Sequence, residues 1–330
     1  MQNHLQINSS PPIIIAHRGA SGFRPEHTLA SYELAISLGA DYIEPDLVST
    51  KDGVLIARHE NEISTTTNVA ECPEFTSRQT TKLIDGKSIT GWFTEDFTLA
   101  EIKTLKAKER LPFRDRSVDD KLLSPTFQEI IDLVKVNSGE IGRSIGIYPE
   151  TKHPTYFASI GLPLEEPLIE ILHNNGYKSA TDPIFIQSFE TGNLQKLKKL
   201  TELPLIQLLE NSGQPFDFVM NGDRRTYHDL TKPQELAKIA EYAAGIGPNK
   251  HMIIPVDSDS KLLSPTSLIA DAHAAGLLVH PYTFRNEDQY LAPDYNQNPE
   301  AEYKQFFNLG VDGVFTDFPN TALTVIRQIW

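Results

Sequence analysis

Short apolar runs recur along this chain, each broken by glycine or a polar cluster, and helical spacing follows most of them. The first run, IIIA at 13–16, gives way to HRGASG, which reads as a buried parallel strand opening into a loop. Leu29, Tyr32, Ala35 and Ile36 then fall at helical spacing, so a helix is expected over 28–38, with Thr28 as its cap and Gly39 as its stop. DYIEPDLV at 41–48 is the next strand. Lys51-Asp52-Gly53 is a turn signal, and VLIARHE at 54–60 returns as a hairpin strand. Beyond residue 121 the alternation resumes. A helix over 124–136, with Thr126 and Glu129 at capping-box spacing, leads to a strand at 144–150. Helices at 163–174, 192–200, 233–243, 264–275, 300–309 and 320–329 then interleave with strands at 183–189, 203–209, 251–257, 277–284 and 313–319. Setting the hairpin strand aside, about eight strands alternate with helices, which predicts an α/β fold of the (β/α)8 TIM-barrel type. A doubly wound open sheet is the competing architecture. Against it, no Gly-x-Gly-x-x-Gly follows the first strand, and polar residues end many strands.

Three stretches stand outside the repeat. Residues 61–121 are rich in threonine, charge and aromatics, with one helix expected at 99–108. They read as an inserted subdomain within a single barrel domain spanning 1–330. Residues 211–232 are irregular. Residues 1–12 form a polar lead-in with neither the basic start nor the apolar core of a signal peptide, and Asn8-Ser9-Ser10 fits a glycosylation sequon. The protein is therefore expected either to stay in the cytoplasm or to have lost a leader. No run has the length of a membrane span.

Composition narrows the function classes. The 330 residues are 39% hydrophobic and 22% charged, with a formal charge of −14. That balance argues against nucleic acid or anionic lipid as a partner drawn by simple attraction, although a local basic or metal-bearing pocket can still reverse the field. Cys72 is the lone cysteine, which excludes an internal disulfide and a cysteine zinc site. The chain has no Gly-x-Ser-x-Gly elbow and no basic-aromatic interleaving.

Candidate chemistry gathers at strand ends. Glu44 and Asp46 are two apart on a strand and share a face, with Ile43 and Leu47 turned to the helices. Glu150 and Lys152 form a second such pair. Three buried carboxylates need compensation by a cation or by basic side chains. Carboxylates without cysteine suit a hard divalent ion, Ca2+ or Mg2+. Rim salt bridges are the competing account, and two pairs at strand ends favour the metal. His17-Arg18 ends the first strand and Arg58-His59 the hairpin strand, giving two histidines for acid–base work and an Arg18 fork for a phosphate. Alternation places Arg58 and His59 on opposite faces, and His59 is assigned to the pocket. The other eight histidines lack such company, and His280 lies mid-strand as a core residue. Gln187 with Phe189, and Tyr282 with Phe284, share faces that would wall a small polyol pocket or form barrel packing layers.

At this point HRGASGFRPEHTLASYELAISLGADYIEPDLVSTKDGVLIARHE, YPETK at 148–152 and GVFTDFP at 313–319 together resemble the glycerophosphodiester phosphodiesterase family. The resemblance implies a metal-dependent barrel that hydrolyses glycerophosphodiesters to sn-glycerol 3-phosphate and an alcohol. It implies His17 and His59 as the acid–base pair and Glu44, Asp46 and Glu150 as metal ligands. Arg18 would then clamp the phosphate and Lys152 act as an auxiliary cation; Gln187, Phe189 and Phe284, from the shared faces above, are assigned to the substrate pocket. Glu26 matches the acid of the family's Pro-Glu-Asn-Thr segment, while His27 replaces the asparagine and Glu60 stands where many members have aspartate. The His27 variant resembles the longer, exported bacterial branch, which implies Ca2+ rather than Mg2+ and a periplasmic or secreted protein, with the cytoplasm as the alternative. The expected partner is a small-molecule substrate, with no nucleic acid and no stable membrane insertion; the oligomeric state stays open. Two other functions compete. One is a phospholipase D-like lipid phosphodiesterase on the same barrel, for which Trp92-Phe93 is the best membrane-facing loop. The other is a binding protein without turnover, which would be expected to lack a histidine or a carboxylate.

Overall fold

A computed structural model describes residues 10–119 and 121–330. The lead-in over 1–9, with the leader and sequon expectations attached to it, lies outside the described residues.

Thirteen strands run in chain order among these residues. They are β1 (Ile13–His17), β2 (Tyr42–Glu44), β3 (Asp46–Ser49), β4 (Leu55–Ala57), β5 (Thr80–Ile84), β6 (Lys87–Gly91) and β7 (Gly146–Ile147). There follow β8 (Glu150–Thr151), β9 (Ile186–Ser188), β10 (Leu205–Leu209), β11 (Gly245–Pro248), β12 (Leu278–Val279) and β13 (Gly313–Thr316). The expected strand at 41–48 is divided at Pro45 into β2 and β3, and the one at 144–150 is divided near Pro149, because a proline has no N–H for the ladder. Each pair acts as one barrel stave. Parallel ladders join β13 to β1 to β2 to β7, and β3 to β8 to β9 to β10 to β11 to β12. The ring closes where Asp312 N–H donates to Val279 O (3.0 Å) and Phe284 N–H to Phe315 O (2.8 Å). Eight staves therefore form the expected barrel, with β4 hairpinned antiparallel onto β3.

The pleat decides what each stave offers the interior. Ile15, Tyr148, Ile206 and Phe315 are fully buried and plug the barrel. Two residues further along the same staves stand His17, Glu150, Leu208 and Asp317, which begin the mouth. Ile43 and Leu47 turn the other way, into the core between barrel and helices.

Several elements differ from expectation. The strand expected at 251–257 is instead β11 at Gly245–Pro248, and Lys250–Ile253 is a helical turn. A Cβ on Gly245 would lie 2.7 Å from the backbone oxygen of Leu278, which requires glycine there, and one on Gly247 would lie 2.6 Å from Leu208 Cδ2, so the neighbouring staves crowd this strand. A strand of glycines has no apolar signature, and the apolar run Met252-Ile253-Ile254 packs outside the ring instead. The helix at 127–141 keeps its Thr126–Glu129 capping box but runs to Gly142, which ends it at φ 67°. Helices at Pro154–Ser159, Phe216–Asn221 and Tyr227–Leu230 are short and have no repeat long enough to announce them.

In segment 61–121 the helix expected at 99–108 is cut to the four-residue α-helix Leu99–Ile102, and short 3-10 turns stand at Val69–Glu71, Pro73–Arg78 and Thr94–Asp96. The segment also carries the β5–β6 hairpin, turned at Asp85-Gly86 with φ 46° and 78°. Val69, Phe75, Trp92, Phe97, Ile102 and Leu105 belong to the same apolar core as the barrel helices. Trp92 and Phe93 are buried, and Trp92 Nε1 donates to Phe75 O (2.7 Å), so this pair is not a membrane-facing loop. Among the described residues no helix is long and apolar enough to cross a membrane.

Candidate active site

β1 carries His17 to the barrel mouth, and the chain turns back at once. Arg18 sits at φ 60° and Gly19 at φ 88°, where a Cβ would lie 2.4 Å from Ser31 Oγ. This turn aims the Arg18 N–H at Glu44 Oε2 (3.0 Å). The Arg18 side chain reaches Glu26 Oε2 from Nη1 (3.0 Å) and stands 3.3 Å from Asp46 Oδ2 at Nε. Burial alone would lower its pKa, but Glu26, Asp46 and Glu44 hold it above the usual value.

The three expected carboxylates converge. One oxygen from each of Glu44, Asp46 and Glu150 lies within 4.8 Å of the others, and all three residues are buried. Register explains the meeting: Asp46 pairs with Glu150 across β3 and β8, and Glu150 with Gln187 across β8 and β9. Burial and then the Asp46 charge push Glu44 well above the ordinary carboxylate range. Burial pushes Glu150 up to about 8, against the pull of Lys152 and with the help of Asp46. Asp46 moves the other way despite its burial, because His27, Lys152 and Arg18 all favour its charge. Its Oδ1 is buried with no hydrogen-bond partner. An all-oxygen donor set with one buried, unsatisfied oxygen and clustered like charges fits a hard divalent cation.

Around this cluster opens a cavity of about 580 Å3, lined by His17, Arg18, His59, Lys152, Gln187 and Phe189 among others. Lys152 Nζ stands 3.0 Å from Glu150 Oε1; burial would lower its pKa, but Glu150, Asp46 and Glu60 raise it. Gln187 Nε2 donates to Glu44 Oε1 (2.8 Å), which ties it to the carboxylates as well as to the cavity. Phe189 is half-buried on the wall. Phe284 does not join it. Tyr282 and Thr283 both line the cavity, so strict alternation is lost before Phe284, which is fully buried against Tyr303 and Phe306, 5.0 Å between ring centroids in each case.

Each histidine carries a carboxylate on the same ring nitrogen. His17 Nδ1 lies 2.6 Å from Asp317 Oδ1, and His59 Nδ1 lies 3.0 Å from Glu60 Oε1. That leaves Nε2 of each ring for the cavity side of proton transfer. Burial and then Arg18 bring His17 down to about 4, against Asp317. Burial, Arg18 and Lys152 bring His59 down to about 3. Arg58 turns away, buried, and donates from Nε to Ser124 Oγ (2.9 Å), as alternation predicts. His280 is buried in the barrel, its Nδ1 2.9 Å from Tyr148 Oη.

Sequence reasoning missed five supports: His27, His153, Arg114, Arg285 and Asp317. His27, set aside for lack of company, has Nε2 at 2.9 Å from Asp46 Oδ2 and Nδ1 at 2.8 Å from Tyr32 Oη. His153, set aside likewise, bonds Glu60 and Asp85. Arg114 and Arg285 both reach Asp317 Oδ2, at 2.5 and 3.0 Å. For Asp317 a signal existed: it stands two residues beyond the inward Phe315 in GVFTDFP. The others come from loops without periodicity.

A parallel barrel whose mouth joins a carboxylate cluster, an arginine and two carboxylate-backed histidines belongs to the class of phosphoester hydrolases. Residues 17–321 match the model of the glycerophosphoryl diester phosphodiesterase family, and the chain belongs to that family of phosphodiesterases. It is 41% identical over 325 residues to glycerophosphodiester phosphodiesterase GDPD6 of Arabidopsis thaliana, covering 94% of this chain and 85% of the relative. It is 30% identical over 346 residues to the glycerophosphodiester phosphodiesterase of Haemophilus influenzae, covering 97% and 91%. Among solved structures, the fold matches an Oleispira antarctica phosphodiesterase in complex with the product sn-glycerol-3-phosphate, with TM-score 0.63, 21% identity, and 96% and 97% of the two chains covered. It also matches a glycerophosphodiester phosphodiesterase of Agrobacterium tumefaciens, with TM-score 0.62, 19% identity, and 95% and 99% covered.

Proposed function

We propose that this chain hydrolyses glycerophosphodiesters to sn-glycerol 3-phosphate and an alcohol, with His17 and His59 as the acid–base pair and one divalent cation on Glu44, Asp46 and Glu150. The observation that carries the reading is the convergence of those three carboxylates beside Arg18 and both histidines on one cavity. The product bound in the Oleispira antarctica structure supports the substrate class. When bound, the cation supplies positive charge to the phosphate oxygens as negative charge develops on them.

The chain's own residues do the rest. Arg18, fixed by Glu26 and Asp46, presents its guanidinium to the phosphate. Both imidazoles start neutral at pH 7, each with its Nδ1 proton directed at a carboxylate. One Nε2 takes the proton from the nucleophile, either water or the glycerol 2-hydroxyl, whose attack gives a five-membered cyclic phosphate that water then opens to glycerol 3-phosphate. The anionic phosphate between the rings raises their proton affinity, so the other ring serves as the acid that protonates the leaving alkoxide. Lys152, and Phe189 beside it, shape the floor and wall on which the glycerol or alcohol moiety rests.

Calcium is favoured over magnesium because three carboxylates with water and substrate oxygens suit its larger, more flexible shell. Export from the cytoplasm remains part of this reading, on the resemblance of the Pro-Glu-His segment alone. The test is release of glycerol 3-phosphate from glycerophosphocholine with and without chelator. Chelation should abolish release and Ca2+ should restore it. No release with any divalent ion would sink the proposal.

A further inference from the structure

Segment 61–121 sends a side chain to the back of each histidine. Asp85, at the tip of the β5–β6 hairpin, has Oδ2 at 2.6 Å from His153 Nδ1. His153 Nε2 lies 2.8 Å from Glu60 Oε2, and Glu60 Oε1 lies 3.0 Å from His59 Nδ1. Asp85, His153, Glu60 and His59 therefore form one unbroken chain from the hairpin to the cavity. On the other side, Arg114 donates from Nη2 to Asp317 Oδ2 (2.5 Å) and from Nε to Glu287 Oε1 (2.7 Å), while Asp317 Oδ1 holds His17 Nδ1. The two arms come from the middle and the C-terminal part of the same segment and finish on the same atom type of two different imidazoles.

From this geometry we infer that segment 61–121 positions both acid–base histidines, Asp85 acting on His59 through His153 and Glu60, and Arg114 acting on His17 through Asp317. The inference rests on the acid–base reading of His17 and His59.

The physical logic is the same in both arms. A histidine that must offer Nε2 needs its Nδ1 proton engaged, and a carboxylate does this only if it stays ionised and still. Glu60 is 43% exposed on its side chain, so by itself it would swing. His153 fixes it, because a ring doubly bonded to Asp85 and Glu60 holds its charge: burial would lower its pKa, yet those two partners raise it to about 9. His153 is in turn fixed by its backbone, in the left-handed region at φ 49° before Pro154, and by the hairpin. The hairpin's strands are otherwise largely exposed; its tip contact with His153 joins it to the barrel, while Lys82 pairs with Glu95 inside the same segment. Arg114 is the fork that two carboxylates need, and a lysine cannot reproduce it.

The test uses the full chain, with the cation present, and two conservative variants. Asp85→Asn keeps the turn, since asparagine tolerates the left-handed region, but removes the charge that holds His153. Arg114→Lys keeps the charge but not the fork. In each, kcat on glycerophosphocholine should fall about tenfold while KM stays within about twofold, the mark of a supporting residue behind a catalytic one. Asp85→Asn added to Glu60→Gln should cost nothing beyond Glu60→Gln alone, because both cut the same chain. The hydrogen-bonded Nδ1 proton of His59 should shift in the proton NMR spectrum of Asp85→Asn, which a merely structural role would leave in place. Wild-type kcat in both variants, or losses that add in the double variant, would overturn the inference. His59→Ala separates the two levels. If it is inactive while Asp85→Asn and Arg114→Lys are at full rate, the acid–base reading stands and the positioning role falls. If His59→Ala turns over normally, the acid–base reading itself fails.

Discussion

Glu150→Gln probes the carboxylate cluster most directly. With donor oxygens no more than 4.8 Å apart, a pair of like charges would repel by about 3.5 kcal/mol at an effective dielectric near 20. Without a cation the cluster relieves that repulsion by holding protons, since burial and the Asp46 charge push Glu44 well above the ordinary range and burial pushes Glu150 up to about 8. A bound cation favours the charged forms instead. A cation at a hundred times its dissociation constant stabilises the folded state by about 2.7 kcal/mol. For a chain of this size that raises Tm by roughly 4 °C. Glu150→Gln replaces a carboxyl that is largely protonated at pH 7 without the cation, so its cation-free Tm should lie close to wild type. Its response to Ca2+ should shrink to about 1 °C or less at the same concentration, because a neutral amide is a weak third ligand. Scanning calorimetry of chelator-dialysed protein, titrated with Ca2+, reads both quantities. A full Ca2+ response in the variant would remove Glu150 from the ligand set. No response of the wild type to any divalent ion would remove the metal site altogether.

Three further outcomes are expected. His17→Ala and His59→Ala should each lower kcat by about 10²–10⁴ with unchanged circular dichroism, and a near-normal rate in either would strike that residue from the mechanism. His153 has a folded pKa raised to about 9 from 6.5, so its contribution is fully present below about pH 6.5 and lost as pH rises through about 9. His153→Gln should therefore cost about 3 kcal/mol near pH 6 and much less at pH 10, and denaturant unfolding showing a cost independent of pH would refute the charged assignment. Phe284→Ala should destabilise by about 3–5 kcal/mol while KM stays unchanged well below its Tm, whereas a raised KM at unchanged stability would return Phe284 to the cavity wall.

Much of this protein is written locally in its chain. Wherever a stave carries alternating or continuous apolar residues, as at 13–16, 203–209 and 313–319, the strand is legible, because burial repeats every second residue along one element. The same period puts Glu44 with Asp46 and Glu150 with Lys152, and it separates Arg58 from His59, so the cavity-facing candidates follow from spacing within each strand. Only the tertiary structure decides what meets across the ring. β11 is invisible as a strand because its glycines answer to the neighbouring staves Leu208 and Leu278 and not to its own sequence. Phe284 shares a face with Tyr282 on paper and goes into the helix layer because the adjacent Tyr282 and Thr283 both face the cavity, which shifts the alternation by one residue. The partner of His17 lies three hundred residues away at Asp317, and the partner of His59 is steadied by a hairpin tip and a histidine that lack any periodic company. Periodicity reports burial along an element and nothing about contacts between distant loops. The sequence by itself therefore determined the barrel and the residues that could do chemistry, while register and loop packing decided how those residues are held.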